Sequence, residues 1–332
     1  MGICLIGTSG SRRWEYFRRA AESCETEVWC IDWQQAGKAD LRGNVVKIDP
    51  PSWTTADIAS LNAEVKTYRT KLHALSETGA AFLNTPEALE AVLDKCLCKR
   101  ILAANEVAVT EVLAENVHTV EQLHACMREK RAPAVFVKPA FGSGAAGVLA
   151  YRRHPGRDSG VLVTSCYLRD GELINTKKIY HSRQDGEIAR VLSAVLSLGA
   201  IVERWHPKDS WQGKSYDLRV VWQFGKIEYI VARQSAGPIT NLHLNNMALD
   251  WERLGLPERT VEEIRALCRK AMACFPGLAV AGIDILLERG SLRPRIIEIN
   301  GQGDLIYRDI FEENRIYKKQ ILHMEQHSGA GS

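Results

Sequence analysis

Short apolar runs alternate with amphipathic segments along the first quarter of the chain. Residues Ile3–Ile6, Val28–Ile31 and Val45–Ile48 are apolar runs with polar neighbours, which predicts three β-strands. Trp14–Ala21 and Ala56–Ser76 carry apolar positions at helical spacing, which predicts one helix after the first strand and another after the third. This rhythm is typical of a small parallel α/β domain, and we expect that domain to occupy residues 1–83.

A helix start signal follows this first domain. Asn84 or Thr85 is a suitable capping residue, Pro86 suits the first helical position, and acidic residues fall in the first turn. We therefore place a domain boundary here. The remaining pattern predicts a central subdomain at 84–205, a carboxy-terminal subdomain at 206–325 and a flexible tail at 326–332.

An apolar strand at 134–138 ends in a lysine and continues into a glycine-rich loop. Strand alternation places Phe136 and Lys138 on one face, so the strand presents one ammonium group at its end. The loop is not a Walker A motif, because its lysine precedes the glycines. Its backbone amides and hydroxyl are suited to binding an anion, and the candidate residues are Gly142, Ser143, Gly144 and Gly147. Taken alone, Lys138 is equally compatible with a structural role.

Two predicted strands near the end of the chain carry oxygen ligands. Asp284 lies in an apolar strand, 279–287, where an unpaired carboxylate costs several kcal/mol, so it requires a cation. In the next strand, 295–300, alternation places Glu298 and Asn300 on the same face as Ile296, with Ile297 and Ile299 buried behind. Two carboxylates and an amide suit Mg²⁺ that is also bound by phosphate oxygens. A solvated edge strand is the alternative.

A β-hairpin is predicted between these two regions. Its strands, 217–224 and 227–233, are joined through Gly225-Lys226. With that turn and a regular ladder, Arg219 would face away from Arg233. We therefore expect a β-bulge or a longer turn if both arginines act at one site.

Composition limits the partners and the compartment. The 332 residues carry a net charge of +3, which does not indicate binding to nucleic acid or membrane. The apolar run at the start is too short for a signal peptide, and no run is long enough to span a bilayer. Nine cysteines, an odd number scattered through the chain, fit a reducing compartment. These features together predict a cytoplasmic protein.

The order of the motifs resembles that of the ATP-grasp superfamily. The resemblance runs from roughly Asn84 to Leu305. Each motif is short, but their joint order is specific. The motifs are Asn84-Thr-Pro-Glu-Ala88 with Asp94-Lys95, Phe136-Val-Lys-Pro139 with its glycine loop, Val202-Glu-Arg-Trp205, Asp217-Leu-Arg219, Arg233, Thr240-Asn-Leu-His243, Ala281-Gly-Ile-Asp-Ile285 and Glu298-Ile-Asn300.

This resemblance implies a fold and a reaction. The fold is an α+β two-layer ATP-grasp domain preceded by a small parallel α/β domain. The reaction is ATP-dependent ligation, in which a carboxylate becomes an acyl phosphate with release of ADP, and an amine then displaces phosphate to form an amide. The implied cofactors are ATP and Mg²⁺, with Mn²⁺ as an alternative ion. The implied partners are a small-molecule or peptide carboxylate and an amine, and a homodimer is a family-level expectation.

The resemblance also assigns roles to individual residues. Lys95 and Lys138 would hold the nucleotide phosphates, and Glu203 would accept a hydrogen bond from the adenine amino group, with the backbone near Trp205 at the ring edge. The implied magnesium ligands are Asp284, Glu298 and Asn300. The implied acyl-phosphate residues are Arg219, Arg233 and Asn241, and Asp217 in the same segment is an implied cofactor-binding residue. His243 and His181 are both candidates for the general base for the amine, with a surface or packing role as the alternative for each.

Three features depart from the ligase branch of that superfamily. Leu244-Asn245-Asn246 replaces Gln or Arg followed by two glycines, and Gly301-Gln-Gly-Asp304 replaces Pro-Gly. A hairpin within 151–180 is additional, and it either covers the site or thickens the lid. The substrate is therefore open. A kinase that phosphorylates a hydroxyl group and a non-catalytic nucleotide-binding protein are the alternatives.

Overall fold

The computed structural model describes residues 2–328 except 54–55, 143, 155, 157–158, 245 and 303–313. The first of its three sheets is parallel, in the order β2-β1-β3-β4, as the sequence predicts. Its strands are β1 (Gly2–Gly7), β2 (Val28–Asp32), β3 (Asn44–Ile48) and β4 (Ala81–Phe82). The helices that follow β1 and β3 are α1 (Arg12–Ser23) and α2 (Ile58–Ser76).

The second sheet is antiparallel and has the order β5-β10-β6-β7-β8-β9. Its strands are β5 (Val112–Val117), β6 (Ala134–Pro139), β7 (Leu149–Arg153), β8 (Gly160–Arg169), β9 (Glu172–Ser182) and β10 (Ala200–Arg204). Apolar residues of three helices complete its core, and these helices are α2, α5 (Val120–Glu129) and α6 (Asp185–Leu196).

The third sheet is also antiparallel, in the order β14-β13-β12-β15-β16, with β11 paired to β12. Its strands are β11 (Ser210–Trp211), β12 (Lys214–Gln223), β13 (Lys226–Ser235), β14 (Met247–Asp250), β15 (Val280–Leu287) and β16 (Pro294–Asn300). Four α-helices share a hydrophobic core with this sheet, namely α2, α3 (Pro86–Leu93), α4 (Lys95–Ala104) and α7 (Glu258–Ala273).

The last helix, α8 (Arg315–Ser328), packs against α1 and β1 of the first sheet. Its apolar side chains, including Ile316 and Ile321, share a core with Phe17 of α1. The helix continues to Ser328, so residues 326–328 of the predicted tail are helical. No helix in the described part of the chain is both long and apolar enough to cross a bilayer.

The start of the predicted helix at Asn84 is confirmed in detail. Thr85 is the N-cap, its hydroxyl accepts from the Ala88 backbone amide, and Pro86 is the first helical residue. Asn84 itself has another role, because its side-chain amide donates to the backbone carbonyls of Val280 and Gly301, each at 2.8 Å. Helix α3 is thereby fixed to the end of the strand pair β15–β16.

The hairpin β12–β13 contains the expected bulge, although its turn differs from the predicted one. The turn residues are Phe224 and Gly225, not Gly225-Lys226, and both have positive φ as a type I′ turn requires. Val221 pairs with Tyr229 but Trp222 pairs with Ile227, so Glu228 is the extra residue. Beyond this bulge Arg219 pairs with Val231 and Asp217 with Arg233, so both arginines lie on one face.

A second bulge makes one sequence prediction wrong. Asp284 pairs with Glu298, but the next pair is Ile285 with Ile296, so Ile297 is the extra residue of β16. Ile296 is therefore fully buried in the core rather than on the face of Glu298, and Ile297 lines the cavity instead of lying behind it. Simple alternation fails here because a bulge reverses the facing of every residue beyond it.

Candidate active site

A cavity of about 1100 Å³ lies where the three sheets meet. Strands β6 and β10 contribute one wall, strands β12, β13, β15 and β16 contribute the opposite wall, and residues of the first domain close one side. Among the described residues of the lining, nine lysines and arginines face four carboxylates. The cavity therefore suits anionic ligands.

Two lysines enter the cavity from different elements. Lys95 is the first residue of α4, because Asp94 caps this helix and accepts from the Leu97 amide at 3.0 Å. Its Nζ donates to the Gly142 carbonyl at 3.3 Å and lies 4.0 Å from Glu298 Oε1. Lys138, at the end of β6, donates to Glu203 Oε1 at 2.8 Å. The structure thus brings both predicted phosphate-binding lysines to one cavity.

The glycine-rich loop divides into a ligand-facing part and a packing part. Gly142 and Gly144 line the cavity. Gly147 is not among the described lining residues, and its conformation has another cause: φ is +72°, and a Cβ there would lie 2.9 Å from Pro139 Cγ. We therefore assign Gly147 to packing rather than to phosphate binding. Ser143 lies outside the described residues.

An ion-pair network occupies the floor of the cavity. Arg219 donates from Nε to Asp284 Oδ1 at 2.5 Å and from Nη2 to Oδ2 at 3.2 Å. Arg233 donates from Nε to Asp217 Oδ1 at 2.7 Å, and its Nη2 lies 3.2 Å from Asp284 Oδ2. The two arginines therefore converge, and the cation that buried Asp284 requires is provided by both of them. Arg219 Nη1 is buried and has no hydrogen-bond partner among the described residues.

Lys208 belongs to the same network and was not predicted. Its Nζ donates to Asp217 Oδ2 at 3.1 Å and to Thr240 Oγ1 at 2.5 Å. Burial lowers the pKa of Lys208, and Asp217 opposes this effect. Burial also raises the pKa of Asp217, but Arg233 and Lys208 outweigh it and hold that pKa well below the usual range. Asp217 is therefore ionised at neutral pH.

The three predicted metal ligands lie together on β15 and β16. Asp284 pairs with Glu298 across the strands, and Asn300 is two residues further along the same face. They differ in availability: the arginines occupy both Asp284 oxygens, whereas the Glu298 side chain is 33% exposed, with Lys95 4.0 Å away. Asn300 Nδ2 is buried and has no hydrogen-bond partner within the described part of the chain.

These residues fit a cation that also takes ligands from a bound molecule. Within the part of the chain that the structure describes, no three histidine, cysteine, aspartate or glutamate residues are grouped closely enough to hold a metal ion. One or two carboxylates supplemented by phosphate oxygens are the usual protein contribution to Mg²⁺. Glu298 is the most accessible carboxylate for this purpose.

Three other predicted site residues differ in where they lie relative to the cavity. Asn241 lines the cavity. Trp205 is not among the described lining residues, because its ring packs against Phe136 at 5.3 Å between centroids, with the Arg152 guanidinium 5.1 Å from its centre. His243 belongs to a short 3₁₀ helix, Leu242–Leu244, and its side chain lies outside the described residues.

The additional hairpin β8–β9 reaches the cavity. Thr164 pairs with Tyr180 but Cys166 pairs with Asn175, so residues 176–179 lie opposite the single residue 165 and interrupt the regular pairing. Asn175, Thr176 and Lys177 line the cavity, so this hairpin contributes to the site rather than only thickening the sheet. Its position is fixed because the Asn175 backbone amide donates to the Ala56 carbonyl at 2.8 Å.

Residues between 11 and 56 supply further lining residues that the sequence did not single out. Arg12 and Arg13, at the start of α1, reach the cavity, and Arg13 donates to the Gln302 carbonyl. Gln302 in turn donates to the Ile48 carbonyl at 2.8 Å. The only available signal was the Arg12-Arg13 pair, whose position after a βα turn is also typical of solvated surface.

Gly282→Ala tests whether the Arg219 orientation matters. A Cβ at Gly282 would lie 2.8 Å from Arg219 Nη1, so the guanidinium must shift while the backbone stays in place. If the protein turns over ATP, we expect ADP formation to fall roughly tenfold to a hundredfold, because misplaced groups lose most of their effect. The free energy of unfolding should change by only about 1 kcal/mol or less. Gly186→Ala, with nothing within 4 Å of the new Cβ, is the matched control, and equal rates for both variants would contradict this role.

No protein-family model matches the sequence, and no curated protein matches it. Solved structures do match. D-cycloserine synthetase DcsG aligns with a TM-score of 0.64 at 14% identity, covering 98% of this chain and 99% of DcsG. The ATP-grasp ligase PsnB, complexed with precursor peptide PsnA2 and AMPPNP, aligns with a TM-score of 0.57 at 14% identity, covering 99% of this chain and 98% of PsnB. The chain has the ATP-grasp fold.

A third ATP-grasp match is the D-alanine–D-alanine ligase from Bacillus anthracis, with a TM-score of 0.57 at 13% identity, covering 99% of this chain and 97% of that protein. These alignments confirm the predicted fold class. In the ATP-grasp fold of this chain, the cavity lies between the two antiparallel sheets, and the parallel sheet closes one side.

Proposed function

We propose that the protein is an ATP-dependent carboxylate–amine ligase that forms an amide bond through an acyl phosphate, with release of ADP and phosphate. The observation that carries this proposal is the meeting of three groups in one cavity. These groups are the lysine pair Lys95 and Lys138, the oxygen ligands of β15 and β16, and the convergent Arg219 and Arg233. The names of the matched structures support it, since all three are a ligase or a synthetase.

ATP would lie along the glycine-rich loop. Lys95, at the start of α4, and Lys138, at the end of β6, line the same cavity, and the backbone of Gly142 and Gly144 is open to it. Glu298 and Asn300, with Asp284 behind them, would hold Mg²⁺. This ion offsets negative charge at the transferring phosphoryl group when it is bound. A matched PsnB structure is complexed with Mg and ADP, which supports the choice of Mg²⁺ and a nucleotide as cofactors.

The two arginines would bind the carboxylate and the acyl phosphate. The planar guanidinium matches the oxygens of both groups and stays charged at all relevant pH values. Both Arg219 and Arg233 line the cavity while they pair with Asp284, so their guanidinium groups are placed to meet a substrate oxygen there. The residues orient and neutralise the reactants, which is the main protein contribution to phosphoryl transfer.

The cavity has room for a nucleotide and a second substrate. Its volume of about 1100 Å³ exceeds the roughly 300–1000 Å³ that is usual for a single small ligand. Arg12, Arg13 and Lys177 are cationic parts of the lining that we do not assign to the nucleotide, and they favour an acidic co-substrate. A free carboxylic acid and a peptide carboxylate both fit this description.

The proposal is tested by measuring ATP consumption by the purified protein with Mg²⁺ against pools of carboxylic acids and amines. We expect ADP and phosphate to form only when an acid is present, and an amide product to form when an amine is added. Formation of AMP would contradict the proposed mechanism. ADP formation with a stable phosphate ester and no amine requirement would indicate a kinase instead.

A further inference from the structure

Glu203 is a buried carboxylate, and two lysines lie close to its oxygens. The residue is 2% exposed, and its Oε1 accepts from Lys138 Nζ at 2.8 Å. Its Oε2 accepts from the Thr110 hydroxyl at 2.5 Å, and Lys99 Nζ lies 3.8 Å from the same oxygen. One negative charge is thus surrounded by two positive charges. One lysine would be enough to neutralise it.

The two lysines differ in what they can reach. Lys138, Thr110 and Glu203 are among the described residues that line the cavity, whereas Lys99 lies behind them and is 4% exposed. Lys99 is fixed by hydrogen bonds to the Thr110 hydroxyl at 2.5 Å and to the Ile296 carbonyl at 3.1 Å. Lys138 can therefore turn toward a ligand in the cavity, but Lys99 cannot.

The hydrogen bonds have a consistent direction. Lys99 donates to Thr110 Oγ1, and Thr110 uses its single proton to donate to Glu203. This relay connects the ammonium of Lys99 to the carboxylate even though the direct separation is 3.8 Å. Lys208, Thr240 and Asp217 form the same arrangement elsewhere in the cavity, again beside a second cation, Arg233.

We propose that Lys99 is the permanent counter-ion of Glu203 and thereby releases Lys138 to bind nucleotide phosphate. If Lys138 were the only cation, its movement to a phosphate group would leave a buried carboxylate uncompensated, which proteins tolerate poorly. Lys99 removes this penalty because its hydrogen bonds to Thr110 and Ile296 keep it in place, and Thr110 connects it to Glu203. It is a positioning residue, and its role rests on the ATP binding proposed above.

The ionisation of these groups supports this arrangement. Burial raises the pKa of Glu203, but Lys138 and Lys99 outweigh it and bring that pKa to about 2. Burial lowers the pKa of Lys99 to about 8, against the attraction of Glu203. Lys138 also lowers this pKa, whereas Cys98 and Glu298 act in the opposite direction. As the pH rises through 8, Lys99 loses its charge and Glu203 must retain Lys138.

The experiment measures binding of a non-hydrolysable ATP analogue with Mg²⁺ by calorimetry, so that it does not depend on a known substrate. Lys99→Met should raise the dissociation constant by about tenfold or more, because Lys138 is then held by Glu203. Arg100→Met is the matched control on the same helix, since that side chain is 64% exposed, and we expect a change below about twofold. Equal affinity of the two variants would overturn the proposal.

A double variant separates this role from a merely structural one. In the Glu203→Gln background there is no carboxylate to retain Lys138, so Lys99→Met should change affinity by less than about threefold. An unchanged tenfold effect in that background would show that Lys99 acts in another way, and the proposal would be wrong. Wild-type protein that binds no nucleotide would contradict the proposed function itself, which is a distinct outcome.

The pH dependence provides a test that needs no destabilising variant. For the wild-type protein the dissociation constant should rise by up to about tenfold between pH 7 and pH 9 as Lys99 loses its proton. Lys99→Arg keeps its charge throughout this range and should show a flatter profile. Parallel profiles for the two proteins would count against Lys99 as the titrating counter-ion.

Discussion

Glu298→Gln is expected to lower the rate of ADP formation by about 10²- to 10³-fold, because it removes the most accessible carboxylate that could hold Mg²⁺ at the phosphates. The side chain is 33% exposed, and its nearest cation, Lys95, is 4.0 Å away, so the substitution breaks no close ion pair. The free energy of unfolding should therefore change by about 0.5 kcal/mol or less.

The measurement combines initial rates of ADP formation with urea unfolding of the same preparation. Glu262→Gln is the control, because Glu262 is 53% exposed on α7, outside the cavity, and its ion pair among the described residues is with Arg265, three residues away. We expect wild-type rates for the control. Near-normal turnover by Glu298→Gln would exclude Glu298 as a required ligand.

Asp217→Asn is expected to lower the free energy of unfolding by about 3–5 kcal/mol, the usual effect of breaking a buried ion pair. Asp217 is 2% exposed and pairs with Arg233 at 2.7 Å and with Lys208 at 3.1 Å. Without its charge, buried Lys208 loses its carboxylate partner, and Arg233 retains only Asp284. Asp217→Asn should therefore change the free energy of unfolding strongly, whereas Glu298→Gln should change it little and mainly lower the rate of ADP formation.

The effect of Asp217→Asn should depend on pH in a defined direction. The pKa of Asp217 is lowered in the folded protein, so its contribution is complete above the unfolded pKa of about 3.9 and is lost as the pH falls further. Urea unfolding should give the same difference from wild type at pH 5 and pH 8, and a smaller one below about pH 4. Asp185→Asn, at the exposed start of α6, is the control, with an expected loss under about 1 kcal/mol. A loss that small for Asp217→Asn would contradict the buried network.

The fold was largely predictable because strand alternation and helix signals are local. The parallel order of the first sheet followed from its strand–helix rhythm, and the cap at Thr85 followed from the adjacent Pro86. The convergence of Arg219 and Arg233 was predictable only as a conditional statement, because the register depends on where the extra residue lies. The bulge at Ile297 has no comparable signal in the sequence, since isoleucines lie on both faces of that strand.

The candidate site was less predictable where residues act through distant partners. Lys208 follows a strand in a polar loop, and its contacts with Asp217 and Thr240 depend on the third sheet. Lys99 sits on a helix whose charged residues are normally solvated, and only the meeting of α4 with β10 and β16 buries it. Trp205 was placed near the nucleotide by motif order, but it packs against Phe136.

The most direct test of carboxylate activation is a hydroxylamine trap. Purified protein, ATP and Mg²⁺ are incubated with pooled carboxylic acids and hydroxylamine, and ADP, AMP and hydroxamate are quantified together. We expect ADP and a single hydroxamate in equal amounts, both lost in Glu298→Gln. AMP in place of ADP, or ADP with a stable phosphate ester and no hydroxamate, would contradict an acyl-phosphate ligase.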